Sequence, residues 1–452
     1  MLQRLKELRA YPSAVAGLVI IVLLVIVSIY AITAIPYAEA VRLWRAGPGV
    51  WDENPRTALP VWVDWFTKGK LPRTIVVSTA DGGTKTAEAL GNGQVRVVAS
   101  LPFEYDYDGF PTEIKLFSEV ESEGTVRSTY SVLWRMPTGE AIPLTPTGGR
   151  SLRSNRDTFF ITQDTALSAR LPAGMPTEVG LLLDTSSAAQ GADRIAAKGL
   201  YEVLVEAEIP EGADLSVKLV VYGQVHGIAG TDHLRRDLMV GLLWGTPLAL
   251  VFGFIAAIGS TLLTFALAGI GTWFGGWLDS LFQRITQVNM IIPMLPVLIM
   301  VGQFYNRSLW LMLALIILLS IFGGGLLSYR AMFLQAKEAA YIEAAMAYGA
   351  RDFRIIFRYL LPRIVPVLLP TFVMTVPAFV FLEASLAVIG LGDPIMPTWG
   401  KIINDAQTQS ALYKGLYFWV LEPAVLLMLT GFAFAMVGYA LDRILNPRLR
   451  TV

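Results

Sequence analysis

The chain has 452 residues, of which 54% are hydrophobic and only 16% are charged. This balance excludes an ordinary soluble protein and indicates a membrane protein long enough for two or three domains. Cysteine is absent and only His226 and His233 occur, which excludes a disulfide framework, a cysteine-ligated metal site and a cysteine nucleophile. Two histidines also give little material for a metal centre or a histidine-based catalytic triad, so we expect no metal site.

Net charge is zero, but the charges are unevenly distributed along the chain. About 25 of the 36 acidic residues, but only about 18 of the 36 basic residues, lie between positions 37 and 232. The middle region is therefore negative, and the rest is positive by the same amount. Such a split suits a chain whose parts face different compartments.

The first predicted element is an apolar helix over residues 14–35. These residues carry no charge and, at about 1.5 Å per residue, can cross the roughly 30 Å hydrocarbon layer of a bilayer. Arg4, Lys6 and Arg9 precede the helix and place that end in the cytoplasm. The alternative is a cleaved signal peptide, favoured by the Ala-Glu-Ala pattern at 38–40, but the apolar run exceeds the roughly 7 to 15 residues usual for such segments.

From about residue 37 to 232 the hydrophobic period changes to two, which predicts half-buried strands. Five segments show it clearly: 74–77, 94–98, 113–117, 201–205 and 215–221. Glycine-rich clusters at 81–83 and 91–93 can adopt the positive φ angles that tight hairpins need. We expect a soluble all-β domain, a sandwich, inserted after the first helix.

After Asp237 five more apolar segments are long enough to span a bilayer, which makes six spans with the first helix. They cover 238–270, 285–304, 308–329, 364–390 and 417–440. The chain thus divides into an amino terminus with the first helix (1–36), an extracytoplasmic β-rich domain (37–232) and a five-helix core (233–452). Within the spans, the glycine pairs Gly241 and Gly245, then Gly271 and Gly275, predict close helix packing.

The basic residues agree with an arrangement in which both termini are cytoplasmic. On the cytoplasmic side this arrangement places Arg284, Arg330, Lys337, Arg351, Arg354, Arg358, Arg363, Arg443, Arg448 and Arg450. The outer loops of the same half hold few basic residues, chiefly Arg307, Lys401 and Lys414.

No G-x-x-x-x-G-K-[ST] stretch occurs, so this chain does not hydrolyse ATP through a P-loop. The sequence also gives little support to two other classes of membrane protein, ion-coupled carriers and ligand-sensing receptors. An ion-coupled carrier needs ionisable residues within the spans, where Glu383 is the one clear candidate; an interfacial position or a capped helix end is the other interpretation of that residue. A ligand-sensing receptor with an outer β domain predicts fewer spans and a folded cytoplasmic output domain.

One cytoplasmic segment, residues 337–362, differs from the spans around it. It begins with strong helix formers, breaks at Gly349 and resumes as an amphipathic helix up to Pro362. A short helix that is held between two spans and has alanines on one face presents only short side chains, so another protein can dock closely against it. Alternatively, Arg351, Arg354 and Arg358 contact lipid phosphates from one face of an interfacial helix. The residue pattern alone favours neither.

Within this segment stand Glu343-Ala344-Ala345, then Gly349-Ala350-Arg351-Asp352, and later Pro362. The pattern resembles the EAA loop of ABC importer permeases, the coupling helix that sits in a cleft of the ATPase subunit. Further motifs resemble the dipeptide, oligopeptide and nickel branch in the same order: Gly230-Thr231-Asp232 with Arg236-Asp237, Gly275-Gly276-Trp277-Leu278-Asp279 with Arg284 and Pro293, Glu383-Ala384-Ser385-Leu386 with Gly390-Leu391-Gly392 and Pro397-Thr398-Trp399-Gly400, and Asn446-Pro447-Arg448-Leu449-Arg450.

The resemblance covers about residues 230–452 plus the first helix and points to the C-type permease of a pair. It implies a type I ABC importer permease fold with six transmembrane helices and half of a translocation path for peptides or similar solutes. By the resemblance, the ATPase-coupling residues are Glu343, Ala344, Ala345, Gly349, Ala350, Arg351, Asp352 and Pro362. An outer-loop motif near the docked binding protein comprises Glu383, Gly390, Gly392, Pro397, Trp399 and Gly400, for which simple loop closure is the alternative.

The resemblance also implies that this chain has no catalytic residues and binds no cofactor, and it implies partners and a location. The partners are a second homologous permease, two identical or different ATPase subunits that bind ATP and magnesium, and an extracytoplasmic substrate-binding protein. The location is the cytoplasmic (inner) membrane of a prokaryote, embedded in the lipid bilayer, with no role in nucleic-acid binding. The inserted β domain lies outside the resemblance; we expect it to bind or brace the binding protein, with a structural role or cell-envelope attachment as alternatives.

Overall fold

The computed structural model describes residues 11–67, 69–91, 93–122, 128–152, 155–171, 175–184 and 195–445. The tail motif at 446–450 and the basic residues before the first helix lie outside these ranges. By internal contacts the chain divides into two compact units, Met1–Arg45 with Val240–Val452, and Ala46–Met239. The first, here the helical unit, holds the apolar helices, and the second, here the outer unit, holds the strands.

The α-helices of the described residues are α1 (Pro12–Ala34), α2 (Tyr37–Arg45), α3 (Thr165–Ser168), α4 (Thr177–Gly180), α5 (Leu238–Phe274), α6 (Gly276–Ile291), α7 (Met294–Phe304), α8 (Leu309–Ile321), α9 (Gly324–Lys337), α10 (Ala340–Ala347), α11 (Asp352–Arg354), α12 (Leu361–Leu386), α13 (Trp399–Thr408) and α14 (Phe418–Leu445). The strands are β1 (Ile75–Ser78), β2 (Thr84–Ala89), β3 (Gln94–Tyr105), β4 (Glu113–Glu121), β5 (Thr129–Arg135), β6 (Ala141–Pro143), β7 (Arg150–Ser151), β8 (Arg156–Phe160), β9 (Gly199–Pro210) and β10 (Asp214–Tyr222). A 3-10 turn covers Val61–Phe66, and π-helical turns cover Ile355–Leu360 and Ala387–Leu391.

Several helices of the described residues are long and apolar enough to cross a membrane. Four qualify singly: Pro12–Ala34, Leu238–Phe274, Asp352–Leu391 and Phe418–Leu445. Two more spans arise only if α6 with α7, and α8 with α9, are each counted as one, because their axes bend by 76° and 44°. The candidate spans at 285–304 and 308–329 thus each contain a bend, which their hydropathy did not predict. At the sharper bend Pro293 lacks the N–H that would continue the helix.

Three of the four predicted packing glycines lie against neighbouring elements of the helical unit. A Cβ atom at Gly241 would lie 2.5 Å from the Trp44 ring, one at Gly245 would overlap the Trp399 indole, and one at Gly271 would lie 2.9 Å from Phe282. Gly275 differs, since no atom of the described residues lies within 4 Å of its Cβ position and its φ is +62°. The packing prediction is wrong for Gly275, which ends α5 through its backbone conformation.

In the residues that the structure describes, the outer unit has two antiparallel sheets that share a hydrophobic core. Their strand orders are β1-β10-β4-β8 and β2-β3-β9-β5-β6, with β7 also paired to β5. Alternate residues of β3, β4 and β10, such as Leu101, Leu116 and Val217, are fully buried in this core. Each of the five segments predicted from period two overlaps a strand, namely β1, β3, β4, β9 and β10.

The two glycine-rich clusters have different roles. The cluster at 91–93 lies between β2 and β3, which pair with each other, and the Leu90 N–H donates to the Gln94 carbonyl at 2.9 Å, so the hairpin prediction is confirmed there. Residues 81–83 join β1 and β2, which lie in different sheets. The hairpin prediction is therefore wrong for 81–83, because a tight turn reverses the chain locally but does not decide which strands pair.

His226 makes the stability of the outer unit depend on pH. Burial lowers the pKa of its imidazole, against a smaller opposite effect of the Asp237 carboxylate. Because the pKa is lower in the folded state, the folded state favours the neutral imidazole, and this stability is lost as pH falls below about 6.5. We expect the free energy of unfolding to fall between pH 7.5 and 5, and His226→Gln to remove part of that fall. An unchanged pH profile in His226→Gln would contradict this.

Candidate functional site

The candidate coupling segment starts with α10, a short helix two residues beyond α9. Alanine-rich sequence favours this helix. Ile342 and Ala345 face inward, at 0% and 9% exposure, while Glu343 and Ala344 are exposed. The helix thus has one buried and one open side.

Gly349 ends α10 through a Schellman motif. The Gly349 N–H donates to the Met346 carbonyl at 2.9 Å, and the Ala350 N–H donates to the Ala345 carbonyl at 3.0 Å. This pattern requires a left-handed residue, and Gly349 has a φ of +74°. The predicted break at Gly349 is confirmed, and its cause is the backbone conformation.

The helix that follows does not stop at Pro362. Arg351 and Asp352 are exposed at its start, and α11, the π turn at 355–360 and α12 continue without interruption. Pro362 lies in the first turn of α12, where the π turn lets the Leu361 N–H reach back five residues to the Ile356 carbonyl. This wider turn accommodates a proline, which lacks an N–H and crowds the preceding turn.

Apolar side chains on the buried side join the segment to three long helices. Ile342 and Ile355 share a core with Phe265 of α5 and Phe333 of α9. Ile364 and Leu368 of α12 belong to the same core. Because interiors are close-packed, a displacement of α10 must be taken up by these helices.

Two polar contacts reinforce that link. The Trp273 indole N–H, near the end of α5, donates to Asp352 Oδ1 at 3.0 Å. Lys337 Nζ donates to the Thr272 and Trp273 carbonyls at 3.1 and 2.9 Å, at the end of the same helix. Sequence reasoning missed Trp273, because no local pattern marks a residue whose partner lies 79 positions away.

The open side of the segment is suited to docking. Tyr348 is 92% exposed, and Arg351, Arg354 and Arg358 are exposed as well. A cavity of about 450 Å³ is lined by Tyr341, Ala344, Ala345, Tyr348, Gly349, Ala350, Arg354 and Tyr359. Among the described residues no group of three or more His, Asp or Glu side chains could hold a metal ion. Exposed aromatic and basic side chains thus border this cavity.

The outer-loop motif is largely buried within the helical unit. Glu383 is 5% exposed, and its buried Oε1 has no hydrogen-bond partner among the described residues. Thr398 Oγ1 accepts from the Lys401 N–H and caps α13. Trp399 is 1% exposed and its indole donates to the Leu242 carbonyl of α5 at 3.0 Å. A Cβ atom at Gly400 would lie 2.6 Å from the Ala384 backbone, so only glycine permits this approach.

The remaining motif residues shape the turn before α13. Gly390 has a φ of +88°, a conformation that favours glycine, while Gly392 lies against Ala387 and Pro397 is buried. Sequence reasoning missed Asp393, whose Oδ2 accepts from the Leu309 N–H at the start of α8 (3.2 Å). An aspartate just before a proline in a glycine-rich turn was the available signal.

Comparisons with known proteins match the helical part of the chain. Residues 249–451 match the family described as binding-protein-dependent transport system inner membrane component. The chain is 32% identical over 224 residues to the dipeptide transport system permease protein DppC of Bacillus subtilis, covering 49% of this chain and 68% of that protein. It is 30% identical over 224 residues to the oligopeptide transport system permease protein OppC of Bacillus subtilis, covering 49% of this chain and 72% of that protein.

A third relative is named for a different solute, glutathione. The glutathione transport system permease protein GsiD of Pectobacterium atrosepticum is 29% identical over 223 residues, which cover 49% of this chain and 73% of that protein. The residues of the family match lie outside the unit Ala46–Met239, so the family does not account for the strands. Together with the apolar helices, these matches show that the chain belongs to the binding-protein-dependent transport system inner membrane components and is a non-enzymatic permease subunit of an ABC importer.

Proposed function

We propose that this permease spans the inner membrane of a prokaryote six times, with both termini in the cytoplasm and the β-rich region over 37–232 outside. Each bent pair, α6 with α7 and α8 with α9, then forms one span. The arginines and lysines from α9 to the start of α12 support this orientation, because basic residues are enriched in cytoplasmic loops. The shared core of the two sheets supports a sandwich for the region outside.

The subunit forms half of a translocation path with a second, homologous permease. Two ATPase subunits bind ATP and magnesium on the cytoplasmic side, and a substrate-binding protein delivers the solute from outside. Peptides are the proposed solutes, since relatives are named for dipeptides, oligopeptides and glutathione. No residue of this chain takes a chemical step; its part is to open and close the path.

The coupling proposal rests on one observation, that α10 is exposed on one side and joined to α5, α9 and α12 on the other. When the ATPases close, their surface pushes on α10, and the Schellman motif at Gly349 fixes the angle at which the push reaches α11. The proposed coupling residues are Glu343, Ala344, Ala345, Gly349, Ala350, Arg351, Asp352 and Pro362. The outer-loop motif (Glu383, Gly390, Gly392, Pro397, Trp399 and Gly400) supports the mouth of the path from within, through the buried contacts of Trp399 and Gly400.

The outer unit binds or braces the substrate-binding protein, a proposal motivated by its acidic excess and its place outside. A deletion can test this cleanly, because the Thr57 N–H donates to the Asp232 carbonyl at 3.0 Å and the chain ends on either side can be joined. We expect replacement of 57–232 by a short glycine-serine linker to weaken binding of the substrate-binding protein to the assembled transporter about 10-fold or more. Unchanged affinity and transport, with normal assembly, would refute the role.

A further inference from the structure

Four large apolar side chains of the outer unit are exposed together. Trp65 is 83% exposed, Phe66 is 80%, Ile228 is 69% and Trp62 is 38%. Here they are called the aromatic patch. Single exposed apolar residues are ordinary, but a group of large ones marks a surface that meets an apolar partner.

The aromatic patch is held in place by hydrogen bonds. The Trp62 indole N–H donates to the Ile228 carbonyl at 3.0 Å, and the Val61 N–H donates to the Gly227 carbonyl at 2.9 Å. The Trp62 and Phe66 rings meet edge to face at 6.4 Å. The two chain segments that carry the patch therefore form one fixed surface.

The same segments are bonded to the first residue of a membrane-spanning helix. The Thr231 N–H donates to the Ala58 carbonyl at 3.0 Å, and the Leu238 N–H donates to the Gly230 carbonyl at 3.1 Å. Leu238 is where α5 begins. A buried ion pair between Arg236 Nε and Asp232 Oδ2, 2.5 Å apart, stabilises the loop between them. Ile228 is two residues from Gly230, which is hydrogen-bonded to the first residue of α5, and Val61 is three residues from Ala58, which is hydrogen-bonded to Thr231. The aromatic patch is therefore close along the chain to the start of a span.

The start of α5 lies close to the membrane surface. Trp244, in the second turn of α5, donates its indole N–H to the Ile35 carbonyl just after α1, at 3.1 Å. Both spans therefore reach the surface at this level. The six residues from Leu238 to Trp244 rise about 9 Å, comparable with a headgroup layer of roughly 5–8 Å.

We infer that the aromatic patch is immersed in the headgroup layer of the lipid bilayer on the side where α5 begins, and that it fixes the base of the outer unit on the membrane. Tryptophan and phenylalanine suit this layer, since their large rings leave water there and indole keeps a polar edge. The segment Val61–Phe66 has no basic residue and one acidic residue, Asp64, so the apolar surface rather than attraction to anionic lipid supplies the affinity.

The absence of native cysteine allows a direct test. Trp65→Cys, Phe66→Cys and Ile228→Cys each accept a nitroxide spin label in the full chain, reconstituted in phosphatidylcholine nanodiscs. Ile228→Cys retains all the aromatic rings and covers the case in which an aromatic substitution disturbs folding. Glu88→Cys, on the exposed strand β2, is the control that faces water. The measurement compares collisions of each label with oxygen and with a water-soluble nickel chelate.

We expect the ratio of oxygen collisions to nickel-chelate collisions to be clearly higher at positions 65, 66 and 228 than at position 88, because a label that enters the headgroup layer meets more oxygen and less of the polar chelate. A collision ratio at the three patch positions equal to that at position 88 would overturn the inference, because it would place the patch in water. Immobile labels that neither reagent reaches would overturn it too, because they would show a protein covering the patch. The test needs neither ATPase nor solute, so its failure is distinct from a failure of the proposed coupling role.

Discussion

Gly349→Val is expected to leave the permease folded and to lower solute-stimulated ATP hydrolysis of the assembled transporter roughly 5- to 30-fold. No atom of the described residues lies within 4 Å of the Cβ position at Gly349, so a side chain there meets no steric clash. The cost comes from the φ of +74°, which is strained for an L residue by about 1–2 kcal/mol and more so for a β-branched one. Relief of that strain breaks the Schellman motif and turns α10 away from its docking angle.

Gly349→Asn is the matched control, because asparagine tolerates the left-handed conformation. We expect this variant to retain most of the stimulation. The readout is ATPase activity with and without loaded binding protein, at equal amounts of assembled complex. Wild-type stimulation in Gly349→Val would show that the end of α10 does not transmit the signal, and equal loss in both variants would assign the effect to side-chain volume.

Gly245→Ala is expected to lower the stability of the helical unit by about 1–3 kcal/mol, the usual cost of overpacking. The added Cβ atom would overlap the Trp399 indole. Trp399 is 1% exposed and its indole is hydrogen-bonded to the Leu242 carbonyl, so the ring cannot shift without losing this bond and disturbing its packing. Displacing it would also loosen α13 and the outer-loop motif.

Gly259→Ala lies on the same helix and makes the same chemical change. There the nearest atom to the new Cβ is Ile317 Cδ1 at 3.0 Å, the end of a side chain that can turn aside. Alanine favours the helix equally at both positions, so the difference between the variants isolates the packing term. Thermal unfolding in nanodiscs measures it, and equal melting temperatures for the two variants would contradict the packing of Trp399 on Gly245.

In the candidate coupling segment, the sequence predicted those features that are determined by residues close together in the chain. A glycine after strong helix formers predicted the end of α10, and the structure supplies the reason in the conformation of Gly349. The Trp273 contact with Asp352 was hidden, since it forms between residues far apart in the chain. Continuation of the helix through Pro362 was hidden as well, because a π turn changes the rule that proline breaks helices.

In the folds of both units, too, local features could be predicted from the sequence and long-range ones could not. Period two located strands such as β3 and β10, but the turn at 81–83 could not reveal that β1 and β2 belong to different sheets. Hydropathy located the long apolar helices, but a bent pair such as α6 with α7 has the same hydropathy as a straight helix. For Glu383 the sequence left an ion relay open against an interfacial position or a capped helix end, and the structure places the side chain within α12 at 5% exposure, which is not the environment of an exposed interfacial residue.

A photoreactive amino acid at Tyr348 tests most directly whether α10 meets the ATPase. Tyr348 is 92% exposed at the end of α10, and Tyr413, 95% exposed in the loop between α13 and α14, is its control on the opposite side of the proposed membrane. In the assembled transporter, illumination should join the ATPase subunit to position 348 and not to position 413. An assembled complex in which position 348 yields no ATPase adduct, or in which position 413 yields as much, would contradict the coupling role of α10.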